Sequence, residues 1–179
     1  VMKILVLGAA GMIGRKLIEH LLDDGTLRGQ AITRIHGFDV VEGTVESTAA
    51  IVVSMSAGDV SDPKVVDALV DDWPDVIFHL AAIVSGEAEA DFEKGYRVNM
   101  RWTQNLFDAV IDRADYVPRI VYASSIAVFG APFPEAIDDD FHLTPLTSYG
   151  TQKAVGELLL ADYTRKGHFD GVGLRLPTV

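Results

Sequence analysis

Short apolar runs of strand length alternate along this chain with longer segments whose apolar residues recur every three or four positions. Residues 4–7 read Ile-Leu-Val-Leu without a polar break, the pattern of a strand covered on both faces. The same reading predicts strands at 3–7, 32–39, 51–54, 76–81, 119–123 and 171–175. Helices are predicted at 13–22, from 62 to about 70, within 92–113, and at 149–165. Asp62-Pro63 is a helix start: Asp caps the free N–H groups, and Pro sits where its missing N–H is not needed. Strand and helix alternating in this way predict an α/β fold with a doubly wound parallel sheet, whose ligands bind beyond the carboxyl ends of the strands. Residues 130–148 break the pattern with Pro132, Pro134, Pro145 and the run Asp138 to Asp140, and predict an ordered loop over the site.

Composition narrows the function classes. At 179 residues and 49% hydrophobic, the chain can bury one sizeable core, and residues 1–179 read as one domain. The balance of 15 Lys+Arg against 26 Asp+Glu, net −11, argues against nucleic acid or an anionic membrane surface as partner. With no cysteine there is no disulfide and no zinc–thiolate site, which is compatible with a reducing cytoplasm. The first apolar run is far too short for a membrane span or signal peptide.

Three groups of residues carry candidate chemistry. Gly8-Ala9-Ala10-Gly11-Met12-Ile13-Gly14 follows a strand and opens a helix. There Gly8 permits a tight turn, Gly11 lets a pyrophosphate approach the backbone, and Gly14 lets helix and strand pack closely. A ligand-free glycine turn is the bland alternative, and the strand–turn–helix context weighs against it. Asp39 ends the second strand, 25 residues after Gly14, where a carboxylate accepts hydrogen bonds from an adenosine ribose and repels a 2′-phosphate. Asp59 and Val60 follow the third strand and are placed to close over the adenine, although a turn Asp reads almost as well. Tyr149 and Lys153 share one helix face at i, i+4, and Ser125 lies 24 residues before Tyr149, just past a strand. Lys153 and a nicotinamide cation would both favour the Tyr149 phenolate. Tyr149 and Lys153 alone could be an ordinary helix face; Ser125 makes the set a proton-transfer site. His79 reads as a packed histidine, and no His/Asp/Glu spacing suggests a metal.

Together with Gly58-Asp59, His79-Leu80-Ala81-Ala82, Asn99 and Ser124-Ser125 before Val128-Phe129-Gly130, these motifs resemble the extended short-chain dehydrogenase/reductases, the NAD-dependent epimerase/dehydratase family. The likeness covers essentially the whole chain. It implies a Rossmann fold binding NAD, with Ser125, Tyr149 and Lys153 catalytic. The family's serine stands directly before the x-x-V-[YF]-G stretch, which picks Ser125 over Ser124. Asn99 is implied to support Lys153 through a water. Trp102-Thr103 stands where the family usually has Gly-Thr.

Further cofactor contacts are implied for Met12, Ile13, Leu80, Ala81, Ala82, Asn99 and Pro177, and substrate contacts for Ser85, Ser125 and Tyr149. The stretches 83–89, 126–134, 141–153 and 174–178 look like those of a sugar-acid dehydrogenase of the family. That implies oxidation of a 2-hydroxyl in a small-molecule sugar acid. A sugar-nucleotide epimerase or dehydratase would keep the same three residues, though Ile126 and Ala127 supply no extra acid or base for dehydration. A non-catalytic NAD sensor would be expected to have lost one of the three. The resemblance also implies that the family's smaller C-terminal substrate domain is largely absent from this chain. It further implies a homodimer when full length, built on the helices near 99–113 and 149–165, with Leu106, Phe107, Val110, Leu158, Leu159 and Ala161 as candidate apolar faces, some of which must face the sheet instead.

Overall fold

A computed structural model describes residues 1–59 and 62–177. In chain order the elements are β1 (Met2–Leu7), α1 (Met12–Asp24), β2 (Thr26–Leu27), β3 (Gln30–Asp39), β4 (Val52–Ala57), α2 (Pro63–Val70) and β5 (Val76–His79). They continue with α3 (Ser85–Ala90), α4 (Phe92–Gly95), a π-helical stretch (Tyr96–Arg101), α5 (Trp102–Ile111), β6 (Arg119–Ser125), α6 (Ser148–Arg165) and β7 (Asp170–Leu176). The parallel strands run β4-β3-β1-β5-β6-β7, while β2 pairs antiparallel with the start of β3. Counted without β2, this is the 3-2-1-4-5-6 order of a dinucleotide-binding sheet. It brings Gly8, Asp39, Leu80 and Ser125 to one edge, because each stands at or just past the carboxyl end of its strand.

β1 explains why both sheet faces are covered. Leu5 and Leu7 join a core with Val66, Leu69 and Val70 of α2, Leu106 and Phe107 of α5, and Leu160 of α6. Ile4 and Val6 point the other way and pack with Ile18 and Leu21 of α1. The period of two in a strand therefore feeds two cores from one apolar run.

Helix ends follow their expected chemistry. The Asp62 carboxylate accepts from the Lys64 N–H at 2.9 Å, with Pro63 opening α2. Gly25, at φ +65°, ends α1 in the left-handed conformation that glycine adopts cheaply. The long helix expected within 92–113 is broken into α4, the π-helical stretch and α5; the Trp102 N–H donates to the Arg97 carbonyl five residues back. β5 ends at His79 rather than at residue 81: Leu80 still donates to the Leu7 carbonyl, and the chain then leaves the sheet.

The loop 131–147 is held at its base. Gly130 and Thr144 are joined through the Thr144 hydroxyl, Thr144 donates to the Val128 carbonyl, and Phe141 packs edge-on against Phe129. It borders a cavity of about 400 Å3 with Ile126 on its wall, next to Ser125.

Of the six apolar residues considered for a dimer face, Leu106, Phe107 and Val110 are buried in the core instead, because that side of α5 faces the sheet. Leu159 is also packed against this core. Leu158 and Ala161 are exposed.

Candidate functional site

The glycine turn is shaped by contact. A Cβ on Gly14 would stand 2.2 Å from the Gly8 carbonyl oxygen, and one on Gly8, at φ +88°, would stand 2.7 Å from the Ala81 nitrogen. Gly11 caps α1 without any side-chain hydrogen bond, and the first turn carries no acidic residue. The N–H groups and positive dipole end of α1 are thus left for an anion. Asp39 completes the arrangement: its carboxylate accepts from the Ala10 N–H at 2.9 Å and the Val40 N–H at 2.7 Å, which fixes it beside the turn. Val40, Val41 and Glu42 follow it, so the residues directly after it bring no cation to balance a 2′-phosphate.

These residues border a cleft of about 250 Å3 between Gly8, Gly11 and Asp39 on one side and Leu80, Ala81 and Ala82 on the other. A narrow backbone cradle, a free helix start and a ribose-facing carboxylate fit NAD. Ile83, Val98 and Trp102 also border this cleft. Trp102, which stands where the family usually has glycine, is buried and lies against the cleft as well. Met12, Ile13, Asp59 and Pro177 do not border it, although Met12 and Ile13 open α1 and Pro177 directly follows β7. Val60 lies outside the described residues.

Ser125 is the last residue of β6, and its hydroxyl accepts from the Ala127 N–H at 3.1 Å. Tyr149 lies in the first turn of α6, whose start is capped by Thr147 accepting from the Gly150 N–H. A Cβ on Gly150 would stand 2.1 Å from the Ala127 carbonyl oxygen, so a glycine lets α6 press against the turn after Ser125. Tyr149 and Ser125 meet there. Ser85 opens α3, and Glu89 of the same helix accepts from the Ser148 N–H, which ties α3 to the start of α6.

Lys153 is buried, and its ammonium donates to the Ala123 carbonyl at 2.7 Å. It lies 4.9 Å from the Tyr122 ring centre and 5.8 Å from that of Tyr149. Burial lowers its pKa to about 8.

The electrostatics of Tyr149 correct one expectation. Its pKa is raised by burial, and the opposing hydrogen bond to Ser125 does not reverse this. A desolvated phenol resists ionising, so the expected lowering is not a property of the protein groups by themselves.

Asn99 is buried in the π-helical stretch. Its side chain accepts from the Ile83 N–H at 2.9 Å and donates to Gln152 Oε1 at 2.8 Å. It thus holds the loop after β5 and the residue next to Lys153. His79 is packed as expected, with Nε2 at 2.8 Å from the Thr103 hydroxyl and its ring against Trp102 and Tyr122. Burial, and to a lesser degree the charge of Lys153, lower its pKa to about 3. Among the described residues no group of three or more His, Cys, Asp or Glu is placed to hold a metal, and no helix is long and apolar enough to cross a membrane.

The chain matches the family described as "NAD dependent epimerase/dehydratase family" over residues 4–179. It is 44% identical to D-erythronate dehydrogenase of Cupriavidus necator, over 99% of this chain and 55% of that enzyme. It is similar to the crystal structure of a nucleoside-diphosphate-sugar epimerase from Agrobacterium tumefaciens, with TM-score 0.95 and 54% identity over 99% of this chain and 53% of that one. UDP-glucose 4-epimerase from Brucella ovis in complex with NAD matches with TM-score 0.80 and 27% identity, over 98% of this chain and 51% of that chain. The chain therefore spans about half the length of the proteins it matches.

Proposed function

The chain belongs to the NAD-dependent epimerase/dehydratase family, and from that premise we propose that the full-length protein oxidises the 2-hydroxyl of a small sugar acid, D-erythronate being the first candidate. The observation that carries this reading is the meeting of Ser125, Tyr149 and Lys153 at the carboxyl end of β6, on the same sheet edge as the glycine turn, taken with the likeness to D-erythronate dehydrogenase. NAD, when bound, supplies the hydride acceptor. Gly8, Gly11 and the start of α1 would hold its pyrophosphate, and Asp39 its adenosine ribose.

Ser125 accepts a hydrogen bond from the substrate hydroxyl or donates one to it, and so fixes its direction toward Tyr149. Tyr149, ionised at its phenol oxygen, takes the hydroxyl proton as the carbon is oxidised. Lys153 carries the positive charge beside that phenol. It would also be the residue to hold the nicotinamide ribose when NAD is bound. Burial raises the Tyr149 pKa, so the phenolate has to be favoured by cationic charge brought into the site. The oxidised nicotinamide, when bound, would be that source, adding to the charge Lys153 already carries.

A second reading is a sugar-nucleotide epimerase, favoured by the name of the Agrobacterium tumefaciens protein at 54% identity. The two readings separate by bookkeeping. Full-length protein should be assayed with NAD against a panel of four-carbon sugar acids and of nucleotide sugars. Net NADH formed stoichiometrically with a sugar acid supports the dehydrogenase. Inversion of a nucleotide sugar without net NADH, and no turnover of any acid, would replace it by the epimerase.

A further inference from the structure

Ser124, the neighbour of Ser125, donates its hydroxyl proton to the carboxylate of Glu157 at 2.5 Å. The same carboxylate receives Arg175 through Nε at 3.1 Å and 3.2 Å and through Nη2 at 2.9 Å. Arg175 gives its remaining Nη1 to the Asp139 carbonyl at 3.0 Å, and its guanidinium lies 4.9 Å from the Phe129 ring centre. One carboxylate therefore joins the end of β6, the middle of α6, the end of β7 and the loop 131–147. The pair is sheltered, with side-chain exposure of 12% for Glu157 and 24% for Arg175. Ser124 and Arg175 are also register partners across β6 and β7.

The placement relative to the site is specific. Ser124 and Ser125 are adjacent in a strand, so their side chains leave on opposite faces. The tether on Ser124 thus fixes the backbone that carries Ser125 while leaving the Ser125 hydroxyl free for other partners. On α6, Tyr149, Lys153 and Glu157 follow at intervals of four, along one stripe of the helix. The bond from Ser124 to Glu157 therefore ties the strand that ends in Ser125 to the helix that carries Tyr149.

We propose that Glu157 is a positioning residue, which through Ser124 sets the separation of Ser125 from Tyr149 and through Arg175 ties the loop 131–147 to that setting. The proposal rests on the reading of Ser125 and Tyr149 as the pair that handles the reacting oxygen. A plain stabilising ion pair is the competing account, and it makes different demands. It needs only Glu157 and Arg175, whereas positioning needs Ser124 too. Electrostatics also separate the two. Removing the negative charge of Glu157 would by itself favour the Tyr149 phenolate. Losing the Ser125 hydrogen bond, which lowers the Tyr149 pKa, would do the reverse. The other groups around that phenol are Lys153 on its own helix and Tyr122 of β6.

The test uses the full-length protein with Ser124→Ala, Glu157→Gln and the double variant. Ser124→Ala keeps the ion pair and every charge, so it remains informative if Glu157→Gln folds poorly. Each single variant should lower kcat on the sugar acid by roughly ten- to hundredfold, as sub-ångström misplacement does, with the NAD dissociation constant within about threefold of the parent. The double variant should be no worse than the weaker single. Tyrosinate absorbance, taken as the difference from the same background carrying Tyr149→Phe, should show the Tyr149 midpoint rising in both singles. A kcat for Ser124→Ala within about twofold of the parent, or a Tyr149 midpoint that stays put or falls in both singles, overturns the proposal. If the parent turns over no sugar acid, the reading under Proposed function fails, and the Tyr149 midpoint alone decides the positioning role.

Discussion

Asn99 and Gln152, 53 residues apart, are joined by a buried hydrogen bond of 2.8 Å from the Asn99 amide to Gln152 Oε1. Gln152 is next to Lys153, so this link sets where α6 lies against the π-helical stretch. The joint is tight: a Cβ on Gly95 would stand 2.6 Å from Gln152 Nε2. Gly95→Ala should therefore destabilise the protein by about 1–3 kcal/mol, the usual penalty for overpacking. Asn99→Leu should cost a similar amount, about 1–3 kcal/mol, by leaving the Ile83 N–H and the Gln152 carbonyl without partners. Urea unfolding measures both, and wild-type midpoints in both variants would show that the joint is not constrained.

Tyr149→Phe removes one oxygen and little volume. Folding and NAD affinity should stay near the parent values, while turnover falls by roughly 10²- to 10⁴-fold, the range for loss of a general base. Steady-state kinetics and a fluorescence titration with NADH check the two halves. Near-normal kcat would remove Tyr149 from the proton transfer.

Asp39→Ala should narrow the preference for NAD over NADP, measured as a ratio of dissociation constants, because the carboxylate that repels a 2′-phosphate is gone. It should also cost about 1 kcal/mol of stability, since the Ala10 and Val40 N–H groups lose their acceptor. Equal affinity of the parent for both cofactors would sink this role for Asp39.

His79 makes an acid-side prediction. Its folded pKa is lowered to about 3 from 6.5, so below pH 6.5 the unfolded chain binds a proton that the folded chain refuses. This contribution to stability is fully present above 6.5 and is lost as pH falls toward 3, at up to about 1.4 kcal/mol per pH unit. The urea midpoint should therefore drop more steeply between pH 7 and 5 in the parent than in His79→Gln. Parallel curves would mean that His79 takes up its proton without unfolding.

Much of the fold was legible because its signals are local. The alternation of apolar runs with periodic segments, the unbroken run at Ile4 to Leu7 and the Asp62-Pro63 start each reflect chemistry within a few residues. The glycine turn was legible for the same reason, whereas Asp39 and the Ser125–Tyr149–Lys153 set were read from spacings of about 25 residues between strand ends and a helix start. α3 was not: only Ala88 in Ser85–Ala90 is buried, so no apolar period marks it. The sign of the Tyr149 shift was also hidden, because the sequence shows a lysine four residues away but not how much water the phenol loses. Glu157 looks in sequence like any charged residue on a solvated helix face. Its partners, Ser124 and Arg175, come to it only through the pairing of β6 with β7.

The wide turn at Tyr96–Arg101 has a consequence for anyone editing this protein. An ordinary helix is a ruler on which each residue advances the face by about 100°. The wide turn takes up extra chain without that advance, so the two sides of the ruler are out of phase. Deleting one residue there should let the segment snap to a regular helix, an attractive change by propensity alone. Because the wide turn had absorbed that residue without advancing the face, the flanking turns should keep their directions, and the loss should be local: Asn99, inside the turn, should no longer reach both Ile83 and Gln152. The same deletion inside α5 would instead turn the rest of that helix by about 100°, so where a residue is removed matters here more than how many are.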